Sequence, residues 1–101
     1  MDKLALVLDK IKVYEPEKII LFGSYARGEV DEQSDLDLVV IKRTDKRFLE
    51  RLIEVARIVG PDFGKVDIFV YTPDEFRFMQ ESGNPFIHSI SIEGKVLYEA
   101  E

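Results

Sequence analysis

The sequence carries the stretch GSYARG at residues 23–28, and SDLDL follows it at residues 34–38. An apolar run at residues 18–22 leads into the first stretch and another at residues 35–42 continues from the second, which is the pattern of two buried strands. Gly23 lets the backbone turn sharply and approach a ligand closely. Ser24 can cap a short helix over residues 23–28, whose free N–H groups attract anions. These features indicate a turn that grips a triphosphate.

Asp35 and Asp37 are candidate ligands for a pair of divalent cations. They lie two residues apart on a predicted strand, so their side chains project to the same face with Cα atoms about 6.5 to 7 Å apart. Charges this close repel by on the order of a few kcal/mol at an effective dielectric of about 20, so a folded protein must compensate them. Hard oxygen ligands favour Mg²⁺ or Mn²⁺, and a chain with no cysteine and one histidine disfavours zinc.

A third carboxylate, Asp67, interrupts an otherwise apolar run at residues 65–71 that predicts another strand. Two interpretations are open. Asp67 either pairs with Lys65 or an arginine at a sheet edge, or joins Asp35 and Asp37 in one site. We favour the second interpretation because of the preceding doublet. Three carboxylates on neighbouring strands are typical of a two-metal site for in-line phosphoryl or nucleotidyl transfer.

These residues resemble the signature of the minimal nucleotidyltransferases of the DNA polymerase beta superfamily, which is Gly-Ser, ten residues, then Asp-x-Asp, with a later third acidic residue. Gly23 and Ser24 match that spacing to Asp35 and Asp37, and Asp67 lies where the third carboxylate is expected. The resemblance spans nearly the whole chain. It implies a small mixed sheet carrying the acidic residues.

The stretch Ala26-Arg27-Gly28 and Ser34 resemble the small prokaryotic branch of the superfamily, whose members are often antitoxins for HEPN-domain toxins. The resemblance therefore implies a HEPN-domain toxin as partner, silenced by one or more AMP groups on a tyrosine. Arg27 has two interpretations: it contacts phosphate or the partner, or it is a solvated or salt-bridged residue.

By resemblance, the protein binds an NTP, in particular ATP, and transfers NMP to a hydroxyl of a protein partner with release of pyrophosphate. Gly23 and Ser24 would grip the triphosphate. Asp35 and Asp37 would hold two Mg²⁺ ions. Asp67 would complete the metal nearest the attacking hydroxyl and help to deprotonate it.

Two other functions remain open. One is a binding module, an antitoxin that blocks its partner by contact and whose nucleotide site is vestigial. The other is a small-molecule nucleotidyltransferase of the aminoglycoside-modifying kind, which needs an acceptor pocket that homo-oligomerisation could supply.

Length and charge restrict the partners. With 101 residues, the chain is expected to form one domain over residues 1–101 that buries roughly two thirds of its unfolded surface, and to find its acceptor surface on another molecule. The net charge of −6 argues against a long nucleic acid, which is held through phosphate contacts. Without an apolar run of about 20 residues or a signal-peptide pattern, we expect a cytoplasmic protein without a membrane span.

The order of predicted elements indicates an α/β (α+β) fold, a single nucleotidyltransferase-like domain with a small mixed β-sheet packed against helices. Helices are predicted at residues 2–13 and 46–59, after a capping box at Thr72 and Glu75, and from Asn84 to residue 93. Strands are predicted at residues 18–22, 35–42, 65–71 and 95–99, with an exposed acidic loop at residues 29–33.

Several single positions carry predictions as well. The apolar face of the second long helix is expected in the core and comprises Phe48, Leu49, Leu52, Ile53, Ala56 and Val59. A later apolar group is core or partner surface and comprises Phe76, Phe78, Met79, Phe86 and Ile87. His88 is expected at a polar helix position rather than in catalysis. Tyr25 is expected to pack its ring, the alternative being contact with a base or a partner.

Overall fold

A computed structural model describes residues 2–28 and 35–100 of the protein. The strands are β1 (Lys18–Phe22), β2 (Leu36–Ile41), β3 (Val66–Tyr71) and β4 (Lys95–Glu99). The helices are α1 (Lys3–Lys12), α2 (Phe48–Val59), α3 (Pro73–Glu81) and α4 (Pro85–Glu93), with a 3-10 turn at Pro61–Phe63. The predicted acidic loop at residues 29–33 and the signature residue Ser34 lie outside the described residues.

The strands form one sheet in the order β3-β2-β1-β4. β1 pairs antiparallel with both β2 and β4, whereas β2 and β3 run parallel, so the sheet is mixed as predicted. The end of β1 and the starts of β2 and β3 therefore meet at one end of the sheet. In this register Asp37 lies opposite Phe22 on one side and opposite Asp67 on the other.

Helices cover both faces of the sheet. On one face α1 and α2 pack on alternate strand residues, including Leu36, Leu38 and Val40. On the other face α3 and α4 pack on the intervening residues, including Val39 and Ile41. Because successive side chains of a strand point to opposite faces, Asp37 lies on the face of α3 and α4. The predicted α/β fold with a mixed sheet and flanking helices is confirmed.

Helix α2 buries only part of the predicted face: Val59 is buried as predicted. The side chains of Leu49 and Ile53 are 70% and 53% exposed, so their predicted burial is wrong. The buried residues of α2 are Arg51, Val55 and Val59. Hydrophobic periodicity does not identify a polar residue, such as Arg51, at a core position. The apolar pattern alone therefore predicts a helix face that is rotated away from the sheet.

The buried Arg51 side chain is fully engaged in hydrogen bonds. Its guanidinium donates to both carboxylate oxygens of Glu75 at 2.7 and 3.2 Å, to the Val70 carbonyl at 3.2 Å and to the Lys46 carbonyl at 2.7 Å. A buried charge is tolerated when it is paired and hydrogen-bonded in this way. Arg51 thus joins α2, the end of β3 and the start of α3.

The predicted helix caps after β3 are confirmed. The Thr72 hydroxyl accepts from the Glu75 N–H at 3.1 Å and the Glu75 carboxylate accepts from the Thr72 N–H at 2.8 Å, which is the capping box. The Asn84 side chain accepts from the N–H groups of Phe86 and Ile87 at the start of α4. Both helices begin with proline at the first position, where no N–H is needed.

The late apolar group divides between core and surface. Ile87 is fully buried, whereas Phe78 is 70% exposed and Phe86 is 37% exposed. His88 is exposed, in line with its predicted polar position, and Tyr25 packs partly buried against the core as predicted.

Residues 24–28 do not form the predicted short helix. They form consecutive turns in which the Arg27 N–H donates to the carbonyls of Gly23 and Ser24, and the Gly28 N–H donates to the carbonyl of Tyr25. Glycine at both ends, with φ of 76° at Gly23 and 81° at Gly28, keeps the segment too short to continue as a helix. Because no helix forms here, the prediction that Ser24 caps a helix is wrong.

Candidate active site

The sheet register brings two of the three predicted carboxylates face to face. Asp37 on β2 and Asp67 on β3 lie opposite each other in the parallel pair and project from the same face. A side-chain hydrogen bond with Asp67 is one of the contacts that raise the pKa of Asp37. The structure therefore places Asp67 beside Asp37 of the Asp-x-Asp motif, and the role of Asp67 in a shared metal site stays a prediction.

The pKa of Asp37 is raised above its ordinary value of 3.8. Burial is the largest cause, followed by repulsion from Asp67 and then from Asp35. Lys65 opposes the shift but does not cancel it. Among the described residues, the positive charge of Lys65 thus compensates the repulsion between these carboxylates only in part, which is the condition under which a bound cation stabilises a carboxylate site.

Asp35 is the third predicted carboxylate, and it forms an ion pair. Its Oδ2 lies 3.6 Å from Nζ of Lys65, whose side chain is 78% exposed. Lys65 thus pairs with Asp35, although the sequence suggested it as a partner for Asp67. Within residues 2–28 and 35–100, no three acidic or histidine side chains converge tightly enough to enclose a metal ion as they stand.

The donor set nevertheless fits a hard divalent cation. All three side chains offer only carboxylate oxygens, the ligands that Mg²⁺ and Mn²⁺ prefer. Asp35 repels Asp37, so the two are electrostatically coupled. The exposed Lys65 ammonium contributes a positive charge beside Asp35. Asp35, Asp37 and Asp67 are the residues that could hold such an ion.

Gly23 lies directly against this acidic group. A Cβ at Gly23 would collide with Oδ2 of Asp37, and the φ of 76° is one that other residues rarely adopt. The backbone after β1 can therefore approach Asp37 only because residue 23 is glycine. Ser24 follows Gly23 at the start of the turn and is half-buried.

Three phenylalanine rings border the acidic pair on the side of α4. Phe22 lies opposite Asp37 in the sheet, and its ring centroid is 5.4 Å from that of Phe86 and 6.4 Å from that of Phe69. The rings of Phe69 and Phe86 are 5.6 Å apart. By the strand register, Phe22 and Phe69 lie on the same sheet face as Asp37.

Arg27 lies at the end of the turn, with a half-exposed side chain. Its guanidinium is 3.9 Å from a carboxylate oxygen of Glu93, the last residue of α4. This contact is consistent with the salt-bridged interpretation of Arg27.

Two contributors to this region were not predicted from the sequence. Lys65 was considered only as a partner of Asp67, and the aromatic border of Phe22, Phe69 and Phe86 was not anticipated as a unit. Phe69 stands two residues after Asp67 on the same strand, so the alternation of that strand indicated that the two side chains share a face. Phe86 lies on a helix distant in sequence, and no sequence pattern indicated its position beside the other two rings.

None of the helices in the described residues is long and apolar enough to cross a membrane.

A mixed sheet with a Gly-Ser turn and facing carboxylates at one end is the arrangement expected of a minimal nucleotidyltransferase. The sequence matches the nucleotidyltransferase domain family over residues 2–98. The chain belongs to this family and is a nucleotidyltransferase.

Three proteins of Methanocaldococcus jannaschii, each provisionally named a protein adenylyltransferase, are similar to this chain. The first is 33% identical over 82 residues, which cover 81% of this chain and 78% of that protein. The second is 56% identical over 54 residues, which cover 54% of each. The third is 37% identical over 87 residues, which cover 82% of this chain and 58% of that protein. The chain thus spans only a little more than half of the second and third relatives.

Two solved structures share the fold. A provisionally named nucleotidyltransferase from Sulfolobus solfataricus superposes with a TM-score of 0.58 at 20% identity, covering 96% of this chain and 83% of that one. A toxin–antitoxin crystal structure with AMP-PNP superposes with a TM-score of 0.61 at 19% identity, covering 100% of this chain and 76% of that one. At these identities the similarity establishes the fold.

Proposed function

We propose that this nucleotidyltransferase transfers AMP from ATP to a hydroxyl group of a partner protein. The observation that carries the proposal is the facing pair Asp37 and Asp67, placed beside the Gly23 turn at one end of the sheet. The relatives provisionally named protein adenylyltransferases support both the nucleotide and the class of acceptor.

In this mechanism the acceptor oxygen attacks the α-phosphorus, a new O–P bond forms, and the bond to the β-phosphate oxygen breaks to release pyrophosphate. Asp67 accepts the proton of the attacking hydroxyl. Gly23 and Ser24 lie where the backbone can approach the triphosphate, and Arg27 at the end of the same turn can reach a phosphate by leaving Glu93.

Asp35, Asp37 and Asp67 would hold two Mg²⁺ ions, which would supply charge stabilisation for the transferring phosphoryl group and orient the two oxygens in line. The residues of the chain supply the remainder. Phe22, Phe69 and Phe86 limit water beside Asp37, and the rigid sheet fixes Asp37 against Asp67.

The partner that best fits this activity is a toxin of the HEPN-domain class, modified on a tyrosine. Support comes from the fold shared with a toxin–antitoxin structure that contains AMP-PNP. It also comes from the sequence resemblance at Ala26-Arg27-Gly28. A net charge of −6 favours a protein acceptor over a polynucleotide, because the acidic surface repels phosphates.

The test is to incubate the protein with Mg²⁺, a lysate of its source and ATP labelled at the α-phosphate, and to identify the labelled species. Label on a protein tyrosine, absent with Asp37→Asn, is the expected result. Label on a small molecule would identify the small-molecule class instead. A stable complex with a partner that never acquires label would indicate an antitoxin that acts by contact.

A further inference from the structure

A partly exposed aromatic ring, that of Phe86, lies on the sheet face that carries the acidic pair. Phe86 is in the first turn of α4 and is 37% exposed, although its ring contacts two other rings. Its centroid is 5.4 Å from that of Phe22 on β1 and 5.6 Å from that of Phe69 on β3. Because β2 lies between β1 and β3, a ring almost equidistant from these two side chains lies above β2.

The strand register places this ring next to Asp37. On this face Phe22 lies opposite Asp37, and Phe69 lies opposite Val39. Asp37 and Val39 are successive side chains of β2 on the same face, since they are two residues apart. A ring that contacts both Phe22 and Phe69 therefore lies between the levels of Asp37 and Val39. Directly opposite residues such as Phe22 and Asp37 have Cβ atoms about 4.5 to 5.5 Å apart, so Phe86 packs on an immediate neighbour of the carboxylate.

The start of α4 holds the ring in this position. The buried side chains of α4 pack on the part of the sheet behind Asp37, in a cluster comprising Ile20, Val39, Ile41, Ile87 and Ile90. The Asn84 side chain accepts from the Phe86 N–H at 2.9 Å, which fixes the first turn. The Phe86 ring is therefore fixed at the border between the covered part of the sheet and the acidic residues.

In-line transfer restricts the direction in which the nucleoside leaves the α-phosphorus. In the proposed reaction the pyrophosphate lies on the side of Gly23, which follows β1, and the attacking hydroxyl lies on the side of Asp67, on β3. The attacking and leaving oxygens then define a line that crosses the strands at Asp37. The oxygen that carries the nucleoside is equatorial, so it points across this line.

One direction across this line leads back along β2 to Phe86. The other directions lead away from the sheet or off its end. Stacking on an aromatic side chain stabilises a nucleotide base, because every base has a π face. A nucleoside that turns back along β2 gains this contact with the exposed part of the ring. The geometry therefore favours that direction.

We infer that Phe86 is the side chain on which the adenine base of ATP stacks. The inference rests on the proposed function and adds the position of the base. Phe22 and Phe69 support the ring by edge-to-face contacts, with interplanar angles of 84° and 72°. Because stacking does not depend on the hydrogen-bonding groups of the base, Phe86 favours nucleotides over free triphosphate without selecting adenine over guanine.

The first experiment uses fluorescence. The chain contains no tryptophan, so Phe86→Trp introduces a single indole. The α,β-methylene analogue of ATP, which cannot release pyrophosphate, should quench its emission in the presence of Mg²⁺, because the base stacks on the indole. Tripolyphosphate, which has no base, should leave the emission unchanged.

Phe78→Trp is the matched control for the fluorescence experiment. Phe78 is 70% exposed on α3 and points away from the sheet, since Phe76 and Met79 of the same helix pack on it. Its emission should respond to neither ligand.

The second experiment removes the ring and does not depend on the tryptophan variant. Phe86→Leu keeps an apolar side chain, and we expect the Kd for ATP to rise about tenfold, as the loss of one base–aromatic stack implies. The Kd for tripolyphosphate and the KM for the acceptor should stay unchanged. Phe86→Tyr retains a ring and should bind ATP as the wild type does, and so should the control Phe78→Leu. Calorimetry measures each Kd.

The outcomes are distinguishable. An unchanged Kd for ATP in Phe86→Leu, or equal quenching by tripolyphosphate, overturns the stacking role and leaves the proposed function intact. A higher KM for the acceptor at an unchanged Kd for ATP overturns it as well and places the ring at the acceptor. If the nucleotide analogue quenches Phe86→Trp but the wild type labels no protein, the stacking role holds and the proposed transfer to a protein fails.

Discussion

The charged side chains at the two ends of strand β3 are arranged in opposite ways. At the far end, Arg51 is 5% exposed and binds both oxygens of Glu75 while also bonding the Val70 carbonyl. At the near end, Asp67 faces Asp37, another carboxylate, and repels it. The far end holds one hydrogen-bonded pair of opposite charge, whereas the near end holds like charges that, among the described residues, the exposed Lys65 compensates in part.

We interpret the charges at the far end as structural and those at the near end as functional. The Arg51 pair connects α2, β3 and α3, so removing either partner leaves buried polar groups without bonds. Because repulsion between Asp37 and Asp67 raises the pKa of Asp37, we expect the acidic pair to weaken the fold until a cation or substrate binds. We make four predictions, which treat Arg51 and Glu75 at the far end as structural residues and Asp37 and Asp67 at the near end as the active site.

The largest expected effect is on activity at the near end. Asp37→Asn should lower AMP transfer by at least about a hundredfold, because it removes a ligand that stabilises charge in the transition state. Transfer is measured at saturating Mg²⁺. Asp45→Asn, an equal change of charge at an exposed position, is the control and should leave the rate unchanged. A normal rate for Asp37→Asn would remove this residue from the site.

The next effect is on stability at the far end. Arg51→Met keeps most of the side-chain volume but leaves the Val70 and Lys46 carbonyls and Glu75 without their donor. We expect a loss of about 3 kcal/mol in the free energy of unfolding, measured by urea denaturation. Arg57→Met on the exposed side of the same helix should cost little. The Kd for ATP should not change, and a large change would mean that the two ends are coupled.

A smaller effect is expected at the contact between Gly23 and Asp37. Gly23→Ala introduces a Cβ that collides with the Asp37 carboxylate at a backbone φ of 76°. Gly28→Ala is a matched control, because its φ is 81° but no atom lies within 4 Å of its Cβ. Both should lose about 1 kcal/mol from backbone strain. Only Gly23→Ala should also lose transfer activity, and equal activity in the two variants would exclude a role for close approach.

The smallest effect is a pair of opposite dependences on pH. The hydrogen bond from Arg51 lowers the pKa of Glu75 from 4.5, so its contribution to stability is present above pH 4.5 and is lost as the pH falls through the lowered value. Burial and repulsion raise the pKa of Asp37 from 3.8, so its cost is present at neutral pH and disappears as the pH falls through the raised value towards 3.8.

Urea midpoints between pH 7 and pH 3 measure both dependences in metal-free protein. Glu75→Gln should be less stable than wild type at pH 7, and Asp37→Asn equally or more stable, with both differences shrinking in acid. If Asp37→Asn is the less stable variant at pH 7, Asp37 is a framework residue and the contrast between the two ends is incorrect.

Local patterns predicted much of the fold. The strands were predicted to within one residue at each end, and the caps at Thr72 and Asn84 were confirmed, because strand alternation and cap chemistry depend on near neighbours. The predicted buried face of α2 was wrong in part, since the pattern could not reveal that Arg51 has a partner in Glu75. The helix predicted over residues 23–28 was wrong because a single turn has too few hydrogen bonds to persist.

The sequence alone indicated the family through the spacing of Gly23, Ser24, Asp35 and Asp37, which is a covalent property of the chain, and it predicted from that spacing which residues carry the chemistry. Only the tertiary structure decided what surrounds them. The parallel register that sets Asp67 against Asp37, the ion pair of Lys65 with Asp35, and the contacts of Phe86 with Phe22 and Phe69 all join residues from distant segments. Such contacts depend on how separate helices and strands pack, and local sequence does not encode that packing.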